Sequence, residues 1–236
     1  MSSGKNILVA LDVDFERALE IAKQLKSLYY GLKIGMSLYN KIGPQGLLKF
    51  DELNVPLFLD LKFHEIPSVV SKTISTFKQF KNIEFMSVHS LSSKKMIEES
   101  VKAAKEISNK LNIMAVTILT SNNQTDLQNI GIQNNIKEQV KLLVNFSKEC
   151  GVQGVISSAQ NLNMIRKLVG EEFKVICPGI RDRDKEEKGK DDQSATFTYS
   201  EFNKLANKNT FCVIGRPIYS EGDPLANITK IINSTN

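Results

Sequence analysis

Leu59-Asp60-Leu61-Lys62-Phe63-His64-Glu65-Ile66-Pro67 joins a strand to a helix and decides how the rest of the chain is read. Val55 to Phe63 is rich in Leu and Phe around a few charges, which predicts a strand. Side chains alternate faces along a strand, so Asp60 and Lys62 are expected on one face and Leu59, Leu61 and Phe63 on the other. Unpaired buried charge is costly, and structural ion pairs rarely compensate for it in full. An acid and a base at the end of an otherwise apolar strand therefore mark a candidate site.

The same strand-then-helix unit recurs on both sides of this stretch. Strand-like runs are expected at Asn6–Asp12, Tyr29–Gly35, Pro56–Phe63, Ile83–Ser90, Ile113–Leu119, Val152–Ser158, Phe173–Gly179 and Thr210–Arg216. Helical spacing follows at Phe15–Leu28, from Ser37 towards Leu53, from about Pro67, and at Ser92–Asn109. It returns at Ile136–Cys150 after a polar segment, then at Gln160–Val169, Ser200–Asn207 and Pro224–Asn233. Strict alternation predicts a parallel sheet covered by helices. Eight such units in 236 residues fit one closed (β/α)8 TIM barrel, a single domain over residues 1–236. The competing fold is a doubly wound open sheet; its Gly-x-Gly-x-x-Gly turn is absent after the first strand.

Barrels of this kind keep their chemistry at the C-terminal ends of the strands. Those ends carry Asp12, Lys33, the pair Asp60 and Lys62, His89 with Ser90, and Thr120-Ser121 after Thr117. The seventh ends in Pro178-Gly179-Ile180-Arg181 and the eighth in Gly215-Arg216-Pro217. Asp, Lys, Asp and Lys on the first three strands form an array of alternating sign, which shares desolvation cost and can hold a lysine charged beside a reacting carbon. Gly215-Arg216 reads as an anion site, since glycine admits a ligand to the backbone and arginine forks onto phosphate oxygens. The charged run Arg181–Asp192 suits a solvated loop that also closes over a phosphate. His89 reads as a hydrogen-bonded rim residue rather than a catalyst, and the two histidines lack a partner at metal-ligand spacing.

Bulk properties are those of an ordinary globular protein, with 41% hydrophobic and 24% charged residues. No apolar run has the length of a membrane span. The start of the chain lacks a signal-peptide pattern, and Cys150, Cys177 and Cys212 lie scattered in apolar runs. Together these predict reduced thiols in a cytoplasmic protein. The net charge of +5 comes from lysines spread beside glutamates on helices, which argues for an anionic small molecule over nucleic acid.

Leu59–Pro67 strongly resembles the Asp-x-Lys-x-x-Asp-Ile-Pro signature of the orotidine 5′-phosphate decarboxylase family. The likeness extends to VALDV at Val9–Val13, LKIG at Leu32–Gly35, AVTILTS at Ala115–Ser121, SSAQ at Ser157–Gln160, CPGIR at Cys177–Arg181 and VIGRP at Val213–Pro217. The resemblance implies a homodimeric barrel that converts orotidine 5′-monophosphate to uridine 5′-monophosphate and CO2, the last step of de novo UMP synthesis, without metal or cofactor. It assigns Lys62 as proton donor to C6, Asp60 to the substrate carboxylate, Lys33 to the charged array and Asp12 to ribose. Thr120 and Ser121 would lie near the pyrimidine, and Arg181, Gly215 and Arg216 at the phosphate. Position 65 and Ile66 would reach into the partner subunit's site.

This chain departs from the family pattern in three places. Glu65 replaces an aspartate, Val69 a threonine that contacts ribose, and Asp182 a proline. The seventh loop is also longer before Asp192-Gln193, so Gln193 is the expected phosphate-reaching glutamine, with Arg183 second. Reduced or retuned activity is expected, not its loss. Two other functions compete. One is a metal-dependent enzyme of the same superfamily acting on a sugar phosphate, which magnesium dependence would reveal. The other is a barrel that binds a phosphate ligand without turnover; four retained charges argue against it.

Overall fold

The computed structural model describes residues 6–181 and 197–234. Its strands are β1 (Ile7–Ala10), β2 (Gly31–Gly35), β3 (Leu57–Phe63), β4 (Ile83–His89), β5 (Asn112–Val116), β6 (Gly154–Ile156), β7 (Lys174–Cys177) and β8 (Thr210–Ile214). Each pairs in parallel with the next, and β8 returns to β1 through Ile7 opposite Cys212. That closure makes the (β/α)8 TIM barrel expected from the alternation and rules out the open sheet.

Helices wrap the outside: α1 (Phe15–Gln24), α2 (Met36–Asp51), α3 (Pro67–Ser75), α4 (Lys94–Ile107), α5 (Gln124–Asn129), α6 (Ile136–Glu149), α7 (Leu162–Val169), α8 (Tyr199–Leu205), α9 (Arg216–Tyr219) and α10 (Pro224–Asn233). α4 shows why they lie where they do. Met96, Ile97, Ser100, Val101 and Ala104 recur at helical spacing and are buried, while Lys94, Glu98, Lys102 and Lys105 are exposed. The Ser93 side chain accepts the Met96 N–H and caps this helix.

Several boundaries differ from the sequence expectation. α1 stops at Gln24 rather than Leu28. α2 is broken at Gly43, whose φ of 58° precedes Pro44. α5 lies in the segment read as merely polar; its capping box is Asn123 with Asp126. β8 ends at Ile214 instead of Arg216, because Gly215 turns the chain and Pro217 sits in the first turn of α9.

The barrel interior is filled, not hollow. Leu8, Phe58, Phe85, Met114, Val116, Ile156, Ile176 and Phe211 form one inner cluster. Phe58 meets Phe85 edge-on at 6.1 Å, and Phe85 lies 5.3 Å from Phe211. This plug forms the floor beneath the residues that follow on the inward faces, namely Ala10 and Asp12, Lys33, Asp60, Ser87 and Gly215.

Candidate active site

A cavity of about 400 Å³ opens above that plug at the C-terminal ends of the strands. Asp12, Lys33, Asp60, Lys62, Thr120, Ser121, Arg181, Gly215 and Arg216 all line it. Ion pairs organise the side near β1 to β3. Lys33 Nζ donates to Asp12 Oδ1 at 3.1 Å, and Lys62 Nζ donates to Asp60 Oδ2 at 2.8 Å. Lys33 and Asp60 are the buried members, with side-chain exposures of 11% and 12%, against 52% for Asp12 and 32% for Lys62. Gly35 leaves room for the first pair, since a Cβ there would lie 3.0 Å from Lys33 Nζ.

The second pair does not arise from simple strand alternation. Leu59 is opposite Met86 and Phe63 is opposite Val88, so four steps along β3 span two along β4. The excess is a bulge, and within it Lys62 adopts a φ of 47°. A left-handed residue with a side chain costs about 1–2 kcal/mol. Such strain clusters at functional sites. The expected common face for Asp60 and Lys62 thus becomes a kink, and it is the kink that carries Lys62 onto Asp60.

Arg181 and Arg216 follow β7 and β8, across the barrel from β3. Burial, and then the charge of Arg216, pulls the Arg181 guanidinium below its ordinary value. Two cations held this close favour an anion between them. Tyr219 supports this edge: the Asp12 N–H donates to its hydroxyl at 3.2 Å, and burial pushes that hydroxyl up to about 12.

Glu65 and Ile66 lie outside the cavity. Both are exposed, and the Ile66 N–H donates to Glu65 Oε1 at 2.6 Å. Val69 is 42% exposed on α3. Gln193, Arg183 and Asp182 lie outside the described residues. His89 sits at the rim, where its Nδ1 accepts the Leu91 N–H at 3.2 Å and its ring stacks on His64. Cys150, Cys177 and Cys212 are buried free thiols, as expected from the sequence. No helix among the described residues is long and apolar enough to cross a membrane.

Two residues of the site escaped the sequence reading. Tyr219 lies on a helix of a single turn. Ser87 sits two residues before His89 on the inward face of β4, and that alternation was the available signal. Its hydroxyl accepts the Lys62 N–H at 2.8 Å and donates to Asp60 Oδ1 at 2.9 Å.

A closed parallel barrel with paired charges over a polar mouth, and cations after its last two strands, defines a TIM-barrel enzyme. Comparison with known proteins narrows the class. Residues 5–231 match the model of the Orotidine 5′-phosphate decarboxylase / HUMPS family, and the chain belongs to that family. An orotidine 5′-phosphate decarboxylase from Wolbachia sp. subsp. Brugia malayi is 35% identical over 97% of this chain and 98% of its own. One from Idiomarina loihiensis is 34% identical over 97% of this chain and 96% of its own. The crystal structure of orotidine 5′-phosphate decarboxylase from Lactobacillus acidophilus aligns with a TM-score of 0.82 at 27% identity, covering 98% of this chain and 99% of that one.

Proposed function

We propose that this protein is an orotidine 5′-phosphate decarboxylase, a single-domain enzyme over residues 1–236 that releases CO2 from orotidine 5′-monophosphate to give uridine 5′-monophosphate. One observation carries the reading. Lys62 Nζ is held at 2.8 Å by Asp60 in a cavity whose far wall bears Arg181 and Arg216. The arginines suit a phosphate dianion, which they can grip by forked hydrogen bonds. Binding there orients the ring towards β3, so energy from the remote phosphate is used at the reacting carbon.

In this reading the bond from C6 to the carboxylate breaks, and its electron pair stays on C6 in the ring plane. The Lys62 ammonium stabilises that carbanion and delivers a proton to it, and solvent reprotonates the amine. Asp60 keeps the ammonium in place and stands beside the departing carboxylate. Lys33 with Asp12 completes the array and meets the ribose. The step needs neither metal nor cofactor.

We also assign the enzyme to the cytoplasm and to a homodimer. Ile66, Met36 and Val69 are 58%, 51% and 42% exposed, at the starts of α2 and α3, which follow the neighbouring strands β2 and β3. Exposed large apolar side chains after adjacent strands suit a partner. Glu65 lies beside them, positioned to serve a neighbouring subunit's site.

The test is direct. Purified protein is mixed with orotidine 5′-monophosphate, and the loss of ring absorbance is followed with and without a chelator. Turnover insensitive to the chelator is expected. Tight product binding without turnover would leave only a binding barrel, and a magnesium requirement would point to the metal-dependent branch.

A further inference from the structure

We propose that Ser87 is a positioning residue that sets the geometry of the Asp60–Lys62 pair; this assignment rests on the decarboxylase reading above. The argument begins with the bulge. Between Leu59 and Phe63, β3 has more backbone than β4 can pair, and Ser87 is the β4 residue between the two registered positions Met86 and Val88. With its φ of 47°, Lys62 cannot offer its N–H to the ordinary parallel ladder. The hydroxyl of Ser87 accepts it instead, at 2.8 Å.

The same hydroxyl has one proton to give, and it gives it to Asp60 Oδ1 at 2.9 Å. Asp60 Oδ2 then accepts from Lys62 Nζ at 2.8 Å. The circuit is closed. It runs from the Lys62 backbone to Ser87, on to the Asp60 carboxylate, and back to the Lys62 ammonium. One hydroxyl fixes both ends of the lysine. Ser87 itself is fully buried, lies beneath the cavity and is not part of its lining, so it acts through Asp60 and Lys62 rather than on substrate.

Without the hydroxyl, the Lys62 N–H loses its partner and Asp60 is held only through Oδ2, by the same ammonium it positions. A misplacement of about 1 Å at a reacting group can cost on the order of a hundredfold in rate. The arginines proposed for the phosphate follow β7 and β8, away from Ser87, so substrate affinity should change little.

An isosteric pair isolates the hydroxyl. Ser87→Thr keeps it, and Ser87→Val replaces it with a methyl group of the same shape. We expect kcat of Ser87→Val to fall about a hundredfold with KM within about threefold of wild type. Ser87→Thr should regain most of the loss, and both variants should bind uridine 5′-monophosphate like wild type. Equal kcat values for the two variants, or a loss confined to KM, would overturn the assignment. A merely structural serine would lower the melting temperature without this split. If Ser87→Val does not fold, Ser87→Ala replaces it, because it removes the hydroxyl without adding bulk, and the same comparison with Ser87→Thr applies. A wild-type enzyme with no turnover would instead remove the decarboxylase reading, and the positioning role with it.

Discussion

The two ends of the barrel both carry buried charge, and they use it in opposite ways. At the N-terminal end, Tyr30 donates to both oxygens of Glu84 at 2.6 and 2.7 Å, and burial raises the Glu84 carboxyl. At the same end, Arg166 donates to the carbonyls of Gly170, Glu171, Phe173 and Asn209 and to the side chains of Asn207 and Thr210. The two terminal nitrogens of that guanidinium tie α7 to β7 and β8, and its Nε lies 3.8 Å from Glu171 Oε2. At the C-terminal end, Lys62 Nζ has three donors and bonds only Asp60 among the described residues. The difference separates a charge that holds the fold from one open to a ligand. The first spends its bonds on neighbouring backbone and side chains; the second faces a cavity with bonding capacity left over.

The sharpest way to break this contrast is at the mouth. On the role proposed for Lys62, Lys62→Ala should lower turnover by at least about a thousandfold, since it would remove both the charge facing the carbanion and its proton source. Uridine 5′-monophosphate should still bind, because the arginines remain. The melting temperature should move little, since Asp60 keeps its bond from Ser87. Absorbance assays and product titration measure both quantities. A variant within tenfold of wild type would move the chemistry away from Lys62.

The base should respond the other way. Arg166, whose side chain is only 8% exposed, leaves several carbonyls without a donor when it becomes Met. Arg166→Met should cost about 3 kcal/mol in urea unfolding, with kcat and KM within about threefold of wild type. A drop in kcat at unchanged stability would show the two ends to be coupled, against the division drawn here.

The sequence made the mouth more legible than the base. Asp12, Lys33, Asp60 and Lys62 stand at strand ends, where strand direction alone marks them as rim residues. Arg166 stands inside a short helix, and nothing local tells that its side chain turns towards Phe173 and Thr210. The bulge was hidden too. Lysine is no marker for a positive φ, and the extra residues of β3 appear only when its register against β4 is known. α5 was missed because a helix of six residues has no apolar period to read; its Asn123 and Asp126 cap was the usable signal.

The smallest expected effect sharpens the contrast through pH. Both histidines of the chain, His64 and His89, lie at the mouth, stacked at 5.6 Å and 19°. Burial, then the charges of His64 and Lys62, lowers the His89 pKa from its ordinary 6.5. Well above pH 6.5 neither the folded nor the unfolded state holds the proton, and this group leaves stability unchanged. As pH falls below 6.5, the unfolded chain takes the proton first, so stability declines until the folded pKa is reached. One proton limits the slope to about 1.4 kcal/mol per pH unit. His89→Asn keeps an acceptor for the Leu91 N–H but cannot titrate. Urea unfolding at about pH 7.5 and 5.5 should therefore show wild type losing more stability than His89→Asn over this interval. Equal losses would mean that the folded rim accepts the proton as readily as the unfolded chain does. The stack against His64 and Lys62 would then be no barrier to charge, and the mouth would be no more sensitive to mild acid than the base.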